Sequence, residues 1–224
     1  MIRVQPAEEP ATFDALVRQP GLRKLAKRVG AGGTGRGRPL KNIYRCREEI
    51  PSEEFPKEWR KALPELSRRY HQLCAYAALY IEEGTGDATV DHFVPVSADW
   101  RTAYEWSNFR LACGLVNTAK RLAQPLDPFK IEDDWFALEL VGFQVVPGDG
   151  TVDPLRSEIR TTIKVLDLNC AALCLQRSSY AENFFEGHIS LEYLRRRAPF
   201  VARELGRQGR LRACQAGGAP PSVG

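Results

Sequence analysis

Apolar residues recur at helical spacing through most of the first third of the chain. In FDALVRQPGLRKLAKRV, residues 13–29, this spacing predicts two short helices separated at Pro20. It returns in residues 52–84, SEEFPKEWRKALPELSRRYHQLCAYAALYIEEG, which begin with a serine followed by acids and end at a glycine. These are start and stop signals of helices. We therefore expect two further helices, divided near Pro64.

Shorter apolar runs with β-prone residues begin after residue 87. ATVDHFV (88–94) and NFRLAC (108–113) predict two strands joined by a polar loop, and GLVNTAKRL (114–122) predicts a helix that ends before Pro125. The alternating WFALELVGFQVVPGDG (135–150) predicts a β-hairpin with Gly142 near its turn. Helical spacing resumes in residues 156–185 and 190–211.

These elements predict an α+β fold that is mainly helical and encloses a small strand–loop–strand–helix unit. We divide the chain into a basic helical segment with a Gly-rich linker (1–50), helices with the small unit (51–125), a C-terminal hairpin and helices (126–212), and a disordered tail (213–224). No internal repeat is visible.

Composition is that of a globular protein that can bury one sizeable core. The 224 residues are 43% apolar and 27% charged. No apolar run approaches the ~20 residues that span a bilayer, and the N-terminus has no signal-peptide pattern, so we expect a cytoplasmic protein without a membrane partner. Six cysteines spread through such a chain predict free thiols or metal ligands rather than disulfides.

The net charge of +4 conceals a strong asymmetry along the chain. Residues 1–47 carry a net +8, residues 48–194 a net −10 and residues 195–224 a net +6. From Arg18 to Arg47 there are ten basic residues and no acid. Basic clusters of this kind are typical of a phosphate-backbone partner, although solvated ends explain the charge alone equally well. The expected nucleic-acid contacts there are Arg36, Arg38, Lys41 and Arg45.

The Gly-rich linker contains a literal GxGxxG at Gly30, Gly32 and Gly35. A dinucleotide-binding turn follows a buried strand and opens a helix, whereas this one follows a basic helical segment and continues as RGRP. We therefore do not assign it to a cofactor.

One stretch of the chain carries candidate chemistry: TVDHFVPVSADWRTAYEWSNFRLACGLVNTAK, residues 89–120. Its DH pair, the proline that follows, the WSN phrase and the final NTAK resemble, together and in order, the HNH (His-Me finger, ββα-metal) endonuclease family. The matching residues are Asp91, His92, Asn108 and Asn117. The resemblance implies a ββα nuclease unit that hydrolyses phosphodiester bonds, with DNA a more natural substrate than RNA.

The residue types suit that chemistry. Phosphodiester hydrolysis needs a base for water and a cation near the phosphorus, and His92 can be the base when its other ring nitrogen is held by a hydrogen bond. Asp91 and Asn117 offer oxygen ligands for Mg²⁺ or Mn²⁺. We expect Asn108 to hold the loop by hydrogen bonds to backbone groups, and Lys120 to contact a phosphate oxygen. Arg110 and Arg121 are weaker nucleic-acid contacts.

Plainer interpretations exist for each residue taken alone. Asp91 can be a turn residue, Asn117 a helix-terminal asparagine and Lys120 a solvated lysine. The geometry also sets a condition, because neighbouring residues of a regular strand face opposite sides. Asp91 and His92 reach one site only if the strand ends or twists there, which Pro95 favours.

The sequence departs from the family at two cysteine pairs that commonly hold a structural zinc. They read CAYA (74–77) and CGLV (113–116) here, so half of each pair is apolar. Two thiolates, even with His71 as a third ligand, do not close a tetrahedral site, so we expect no structural zinc and expect Cys74 and Cys113 to pack in the core. Cys170 and Cys174 share a helical face and should pack likewise.

More loosely, the layout of the whole chain, including LDLNCAALCLQR (166–177), resembles HNH proteins of Septu (PtuB-like) and retron-associated anti-phage systems. That resemblance implies a nuclease regulated by an ABC/SMC-like ATPase, which must be a separate subunit because this chain has no nucleotide-binding motif. The alternatives are a catalytically inactive nucleic-acid-binding or scaffold subunit, and a basic interaction module in which the DH pair is accidental.

Overall fold

The computed structural model describes residues 1–30 and 43–211, which form a mixed α+β protein with two small antiparallel sheets. Its helices are α1 (Gln19–Arg28), α2 (Leu63–Arg69), α3 (Gly114–Lys120), α4 (Leu155–Val165), α5 (Ala171–Phe185), α6 (Leu191–Arg197) and α7 (Pro199–Arg207). Its strands are β1 (Ala88–His92), β2 (Phe109–Cys113), β3 (Phe136–Leu138) and β4 (Val145–Pro147). The α+β class predicted from the sequence is confirmed.

Strands β1 and β2 and helix α3 form one local unit in the predicted order. The strands are antiparallel, with Ala88 opposite Cys113 and His92 opposite Phe109. Helix α3 follows β2 directly, and Gly114 at its start donates its N–H to the Asp87 carbonyl at 2.7 Å. A Cβ at Gly114 would lie 1.9 Å from Asp87 Oδ2, so a larger residue there would have to displace the Asp87 side chain.

The C-terminal hairpin forms as the alternation predicts. Strands β3 and β4 are antiparallel, with Phe136 opposite Pro147 and Leu138 opposite Val145. In the connection, Glu139 accepts hydrogen bonds from the N–H groups of Val141, Gly142 and Gln144. One carboxylate thus satisfies three backbone donors of the turn.

The predicted helix break at Pro20 is wrong. A π-helical turn, Asp14–Arg18, runs without interruption into α1, and Pro20 lies in the first turn of that helix. The missing N–H of Pro20 falls where the π-helical turn passes into the α-helix and the hydrogen-bond ladder changes register.

The two helices predicted in residues 52–84 are replaced by one. Short 3₁₀ turns at Ser52–Glu54 and Glu58–Ala62 precede α2, and Pro64 begins that helix instead of dividing it. Beyond Arg69 the chain turns tightly, with positive φ at His71, Gln72 and Ala78. Residues 74–79 are all buried, so this stretch offers no polar face to an amphipathic helix.

One hydrophobic core unites these elements. It extends from Met1 and Phe13 at the N-terminal end to Leu205 in α7, and Phe109 and Leu111 place β2 inside it. The proposed segment boundaries at residues 50, 125 and 212 remain predictions. In the part of the chain that the structure describes, every helix is too short or too polar to cross a bilayer.

Candidate functional site

His92 is the last residue of β1, and its imidazole is fixed on several sides. Ring nitrogen Nε2 lies 2.9 Å from the Ala103 carbonyl oxygen. The ring also meets Trp59 and Phe109 edge-on, with centroid distances of 4.8 and 5.2 Å. A carbonyl can only accept, so Nε2 carries the hydrogen and donates it. This leaves the lone pair of a neutral imidazole on Nδ1.

The other ring nitrogen, Nδ1, carries the free lone pair of the imidazole. Within residues 1–30 and 43–211, Nδ1 has no hydrogen-bond partner. The atom is also not completely buried. Burial of the ring lowers the pKa of His92, against smaller opposing effects from the Ala103 carbonyl and Asp91. The imidazole is therefore neutral at pH 7, the state that a general base requires.

If His92 acts as a base, cleavage should persist into mildly acidic solution. Because the pKa of His92 lies below its ordinary value of about 6.5, protonation removes the base only as the pH falls through that lowered value. We expect the acid limb of the log rate against pH to have its midpoint below 6.5. A midpoint above 6.5 contradicts the assignment of this limb to His92.

Asn108 makes the loop-holding hydrogen bonds predicted for it. Its Oδ1 accepts the Val94 N–H at 2.8 Å, and its Nδ2 donates to the carbonyls of Val94 and Thr102 at 3.0 and 3.2 Å. Nδ2 also lies 3.0 Å from Thr102 Oγ1. Because Ala103 follows Thr102, this network fixes the loop that carries the carbonyl partner of His92. Asn108 is thus a positioning residue.

The Asp91 carboxylate points into the protein and is only 3% exposed. Its Oδ2 accepts the Tyr76 hydroxyl at 2.5 Å, and its Oδ1 lies 3.0 Å from the Lys120 ammonium. Burial, together with the negative charge of Asp91 beside its hydroxyl, raises the pKa of Tyr76. Both carboxylate oxygens are thus engaged by protein groups.

Lys120 is 1% exposed, which conflicts with the phosphate contact expected of it. Besides Asp91, its ammonium donates to the carbonyl of His92 at 2.8 Å and lies 3.4 Å from that of Phe93. The helical register that places Lys120 on the same side of α3 as Asn117 turns it toward β1 rather than toward solvent. Its charge is therefore used inside the protein.

Asn117 lies on α3 opposite β1. Its Nδ2 donates to Thr89 Oγ1 at 3.0 Å, and Thr89 Oγ1 in turn donates to the Ala112 carbonyl at 2.9 Å. Its Oδ1 has no partner within the described ranges and is not sealed from solvent. Asn117 therefore keeps one oxygen available as an acceptor or ligand.

The arrangement does not fit the Mg²⁺ or Mn²⁺ that the resemblance implies. Of the two expected ligands, Asn117 has an available oxygen, but the Asp91 carboxylate is buried and already neutralised by Lys120. Across the residues described, no three His, Cys, Asp or Glu side chains are grouped to hold a metal ion. A divalent ion at Asp91 requires Lys120 to leave first.

The strand ends at His92, yet the side chains of Asp91 and His92 do not meet. Asp91 contacts Tyr76 and Lys120, whereas the His92 ring contacts Trp59, Phe109 and the Ala103 carbonyl. Among the described residues they share no side-chain partner, as strand alternation requires. The structure therefore brings Asp91, Lys120 and the main chain of His92 together, but not the imidazole with the carboxylate.

Arg110 does not have the free guanidinium expected of a nucleic-acid contact. It is 3% exposed and forms a two-pronged ion pair with Asp127, at 2.9 to 3.1 Å. The guanidinium also lies over the rings of Phe93 and Phe129, at 5.0 and 3.6 Å from their centroids. Arg110 ties β2 to the segment after α3, a structural role.

The remaining basic candidates are divided between the surface and the part of the chain outside the described residues. Arg121 and Arg45 are exposed, and neither forms a side-chain ion pair within the described ranges. Arg36, Arg38 and Lys41 lie outside the described residues.

Two further surface cations were missed by the sequence analysis. Arg160 and Lys164 lie one turn apart on α4, are exposed, and have no ion pair within the described part of the chain. Lys164 and Arg121 line the same open groove, between the outer side of α3 and the end of α4. The four-residue spacing of Arg160 and Lys164 is visible in the sequence, but the nearness of Lys164 to α3 is not.

The cysteines retained from the two expected pairs meet in space. Cys74 is buried, and its Sγ accepts the N–H groups of Ala77 and Cys113, both at 3.4 Å. Despite burial, these bonds and one from the Cys113 thiol lower the pKa of Cys74 to about 7. His71, the only other zinc-ligand candidate named from the sequence, is exposed. Cys170 and Cys174 are partly buried at the start of α5 rather than fully in the core.

Comparison with protein-family models gives no match, and comparison with curated proteins gives none either. The geometry above therefore carries the functional argument.

Proposed function

We propose that the protein is an endonuclease that hydrolyses phosphodiester bonds of nucleic acid, with His92 as the general base. One observation carries the proposal: the imidazole is held through Nε2 on the Ala103 carbonyl, so Nδ1 keeps a lone pair that no described residue engages. A packing histidine does not need Asn108 to hold Thr102, the neighbour of its carbonyl partner Ala103, in place. The strand–loop–strand–helix order around it supports the same function.

In the proposed reaction, Nδ1 accepts a proton from water as the water oxygen bonds to phosphorus. The bond between phosphorus and one ester oxygen then breaks, that oxygen takes up a proton from solvent, and the imidazolium afterwards releases its proton to solvent. Nε2 remains bonded to the Ala103 carbonyl throughout, which holds the ring in one orientation and stabilises the imidazolium that forms. A positioned base of this kind contributes about 10²–10⁴-fold to the rate.

The product ends test the reaction class. Purified full chain is incubated with plasmid DNA and with single-stranded RNA, with Mg²⁺, with Mn²⁺ and with EDTA, and the fragments are analysed for their terminal groups. Internal cleavage that leaves phosphate and hydroxyl ends supports hydrolysis. Fragments released only from strand ends, or intact substrate under every condition, count against an endonuclease.

For substrate contact we propose Arg160 and Lys164 on the exposed side of α4, because phosphate backbones bind Lys and Arg. The double change Arg160→Gln/Lys164→Gln is expected to weaken DNA binding and to reduce the slope of log affinity against log salt by about two, one for each lost phosphate contact. Binding is measured in a His92→Ala background, which prevents cleavage.

A matched control separates this surface from charge in general. Lys57→Gln/Lys130→Gln also removes two exposed, unpaired lysines, but from elsewhere on the surface. It should leave the slope nearly unchanged. Equal losses of DNA affinity and of salt slope in both double variants contradict a specific phosphate-binding surface on α4.

The second candidate function, a catalytically inactive nucleic-acid-binding or scaffold subunit, is favoured by the Asp91–Lys120 pair. In that pair Lys120 engages the Asp91 carboxylate, to which the resemblance assigns metal binding. DNA binding that depends on Arg160 and Lys164, without cleavage under any condition, supports this alternative.

A role in anti-phage defence with a separate ABC/SMC-like ATPase is a further proposal, supported only by the resemblance of residues 166–177 and the general layout. Affinity purification of the native chain at its natural expression level tests it. Recovery of the chain without such an ATPase counts against the partnership.

A further inference from the structure

The Lys120 ammonium lies among three oxygens. Nζ is 3.0 Å from Asp91 Oδ1, 2.8 Å from the carbonyl oxygen of His92 and 3.4 Å from that of Phe93. One carboxylate and two backbone carbonyls are the kind of oxygen set that Mg²⁺, Mn²⁺ and Ca²⁺ take in proteins. The ammonium therefore fills a place that has the ligand chemistry of a cation site.

The charge in this place is needed by the fold. Asp91 is 3% exposed, and a carboxylate removed from water is unfavourable unless a positive charge and hydrogen bonds compensate it. Lys120 supplies the charge, and the Tyr76 hydroxyl supplies a hydrogen bond to the second oxygen. No other Lys or Arg in the described ranges pairs with Asp91.

We propose that the Lys120 ammonium is the resident cation of this unit and that it excludes a divalent ion from Asp91. When the lysine charge is removed, the three oxygens can bind a divalent cation instead. This inference does not rest on nuclease activity, because it concerns what binds at Asp91 whether or not the chain cleaves nucleic acid.

Binding of Mn²⁺ alone tests the proposal without any substrate. The full chain is titrated with Mn²⁺, and free Mn²⁺ is followed by its paramagnetic resonance signal for the wild type, Lys120→Met and Lys120→Met/Asp91→Asn. Methionine keeps the length of the side chain but not its charge. We expect Lys120→Met to bind one Mn²⁺ more than the wild type, and the added Asp91→Asn change to abolish that gain.

The thermal unfolding midpoint gives a second readout on the same proteins. Mn²⁺ should raise the midpoint of Lys120→Met and leave those of the wild type and the double variant unchanged, because only a ligand that binds the folded state stabilises it. A folded Lys120→Met protein that gains no Mn²⁺ overturns the proposal.

The wild-type titration remains decisive if Lys120→Met does not fold. One Mn²⁺ bound by the wild type and lost in Asp91→Asn shows a divalent ion at Asp91 despite Lys120, and this also overturns the proposal. Equal Mn²⁺ binding by the wild type and Asp91→Asn supports Lys120 as the resident cation.

Discussion

Replacement of Lys120 by methionine is expected to lower the free energy of unfolding by about 3–5 kcal/mol in metal-free buffer. The change leaves the Asp91 carboxylate buried without a counter-charge and removes the donor to the His92 carbonyl. Breaking a buried ion pair on one side typically has a cost of this size, because the remaining charge stays desolvated. Urea unfolding in the presence of a chelator measures the loss.

Two companion variants identify the cause. Asp91→Asn/Lys120→Met removes both charges and should recover a large part of the loss. Arg68→Met removes an arginine that is 66% exposed from its pair with Glu65, which is 37% exposed, and such exposed pairs contribute little to stability. A Lys120→Met loss no larger than that of Arg68→Met is incompatible with a stabilising buried pair.

Replacement of His92 by alanine is expected to reduce the cleavage rate by about 10²–10⁴-fold, the usual contribution of a positioned general base. The oriented Nδ1 is lost, while Asp91, Lys120 and Asn117 keep their partners. Initial rates at pH 7.5 with saturating substrate give the ratio.

His188→Ala is the matched control. His188 is 65% exposed in its side chain and contacts only Glu186 as an ion-pair partner in the described ranges. Its loss should leave the rate within about twofold, since surface changes away from packed or catalytic features are usually small. Because the His92 ring also packs against Trp59 and Phe109, circular dichroism and DNA affinity must show that His92→Ala is folded. A folded His92→Ala protein with near wild-type rate contradicts the base assignment.

Local sequence signals predicted the elements around the site well. The β-prone runs on either side of a polar loop, followed by GLVNTAKRL, define β1, β2 and α3, and all three form in that order. The hydrogen bonds of Asn108 were also predictable, because asparagine commonly satisfies backbone groups in loops. Such features depend on residues close in sequence.

Features that depend on tertiary packing were not predictable. Whether Lys120 faces solvent or β1 is decided by how α3 packs, and its partner Asp91 lies 29 residues away. The same applies to Arg110, whose predicted nucleic-acid contact is replaced by a pair with Asp127 and stacking on Phe129. In residues 74–79 every side chain is buried, so helical spacing there had no exposed face to support it.

The most direct measurement of the central claim is the initial rate at which supercoiled plasmid is nicked by wild type and by His92→Ala, prepared identically. The account predicts nicking by the wild type and a rate at least about 100-fold lower for the variant. Equal rates in the two preparations would contradict it, because the cleavage would then come from a contaminant or from a site that does not use His92.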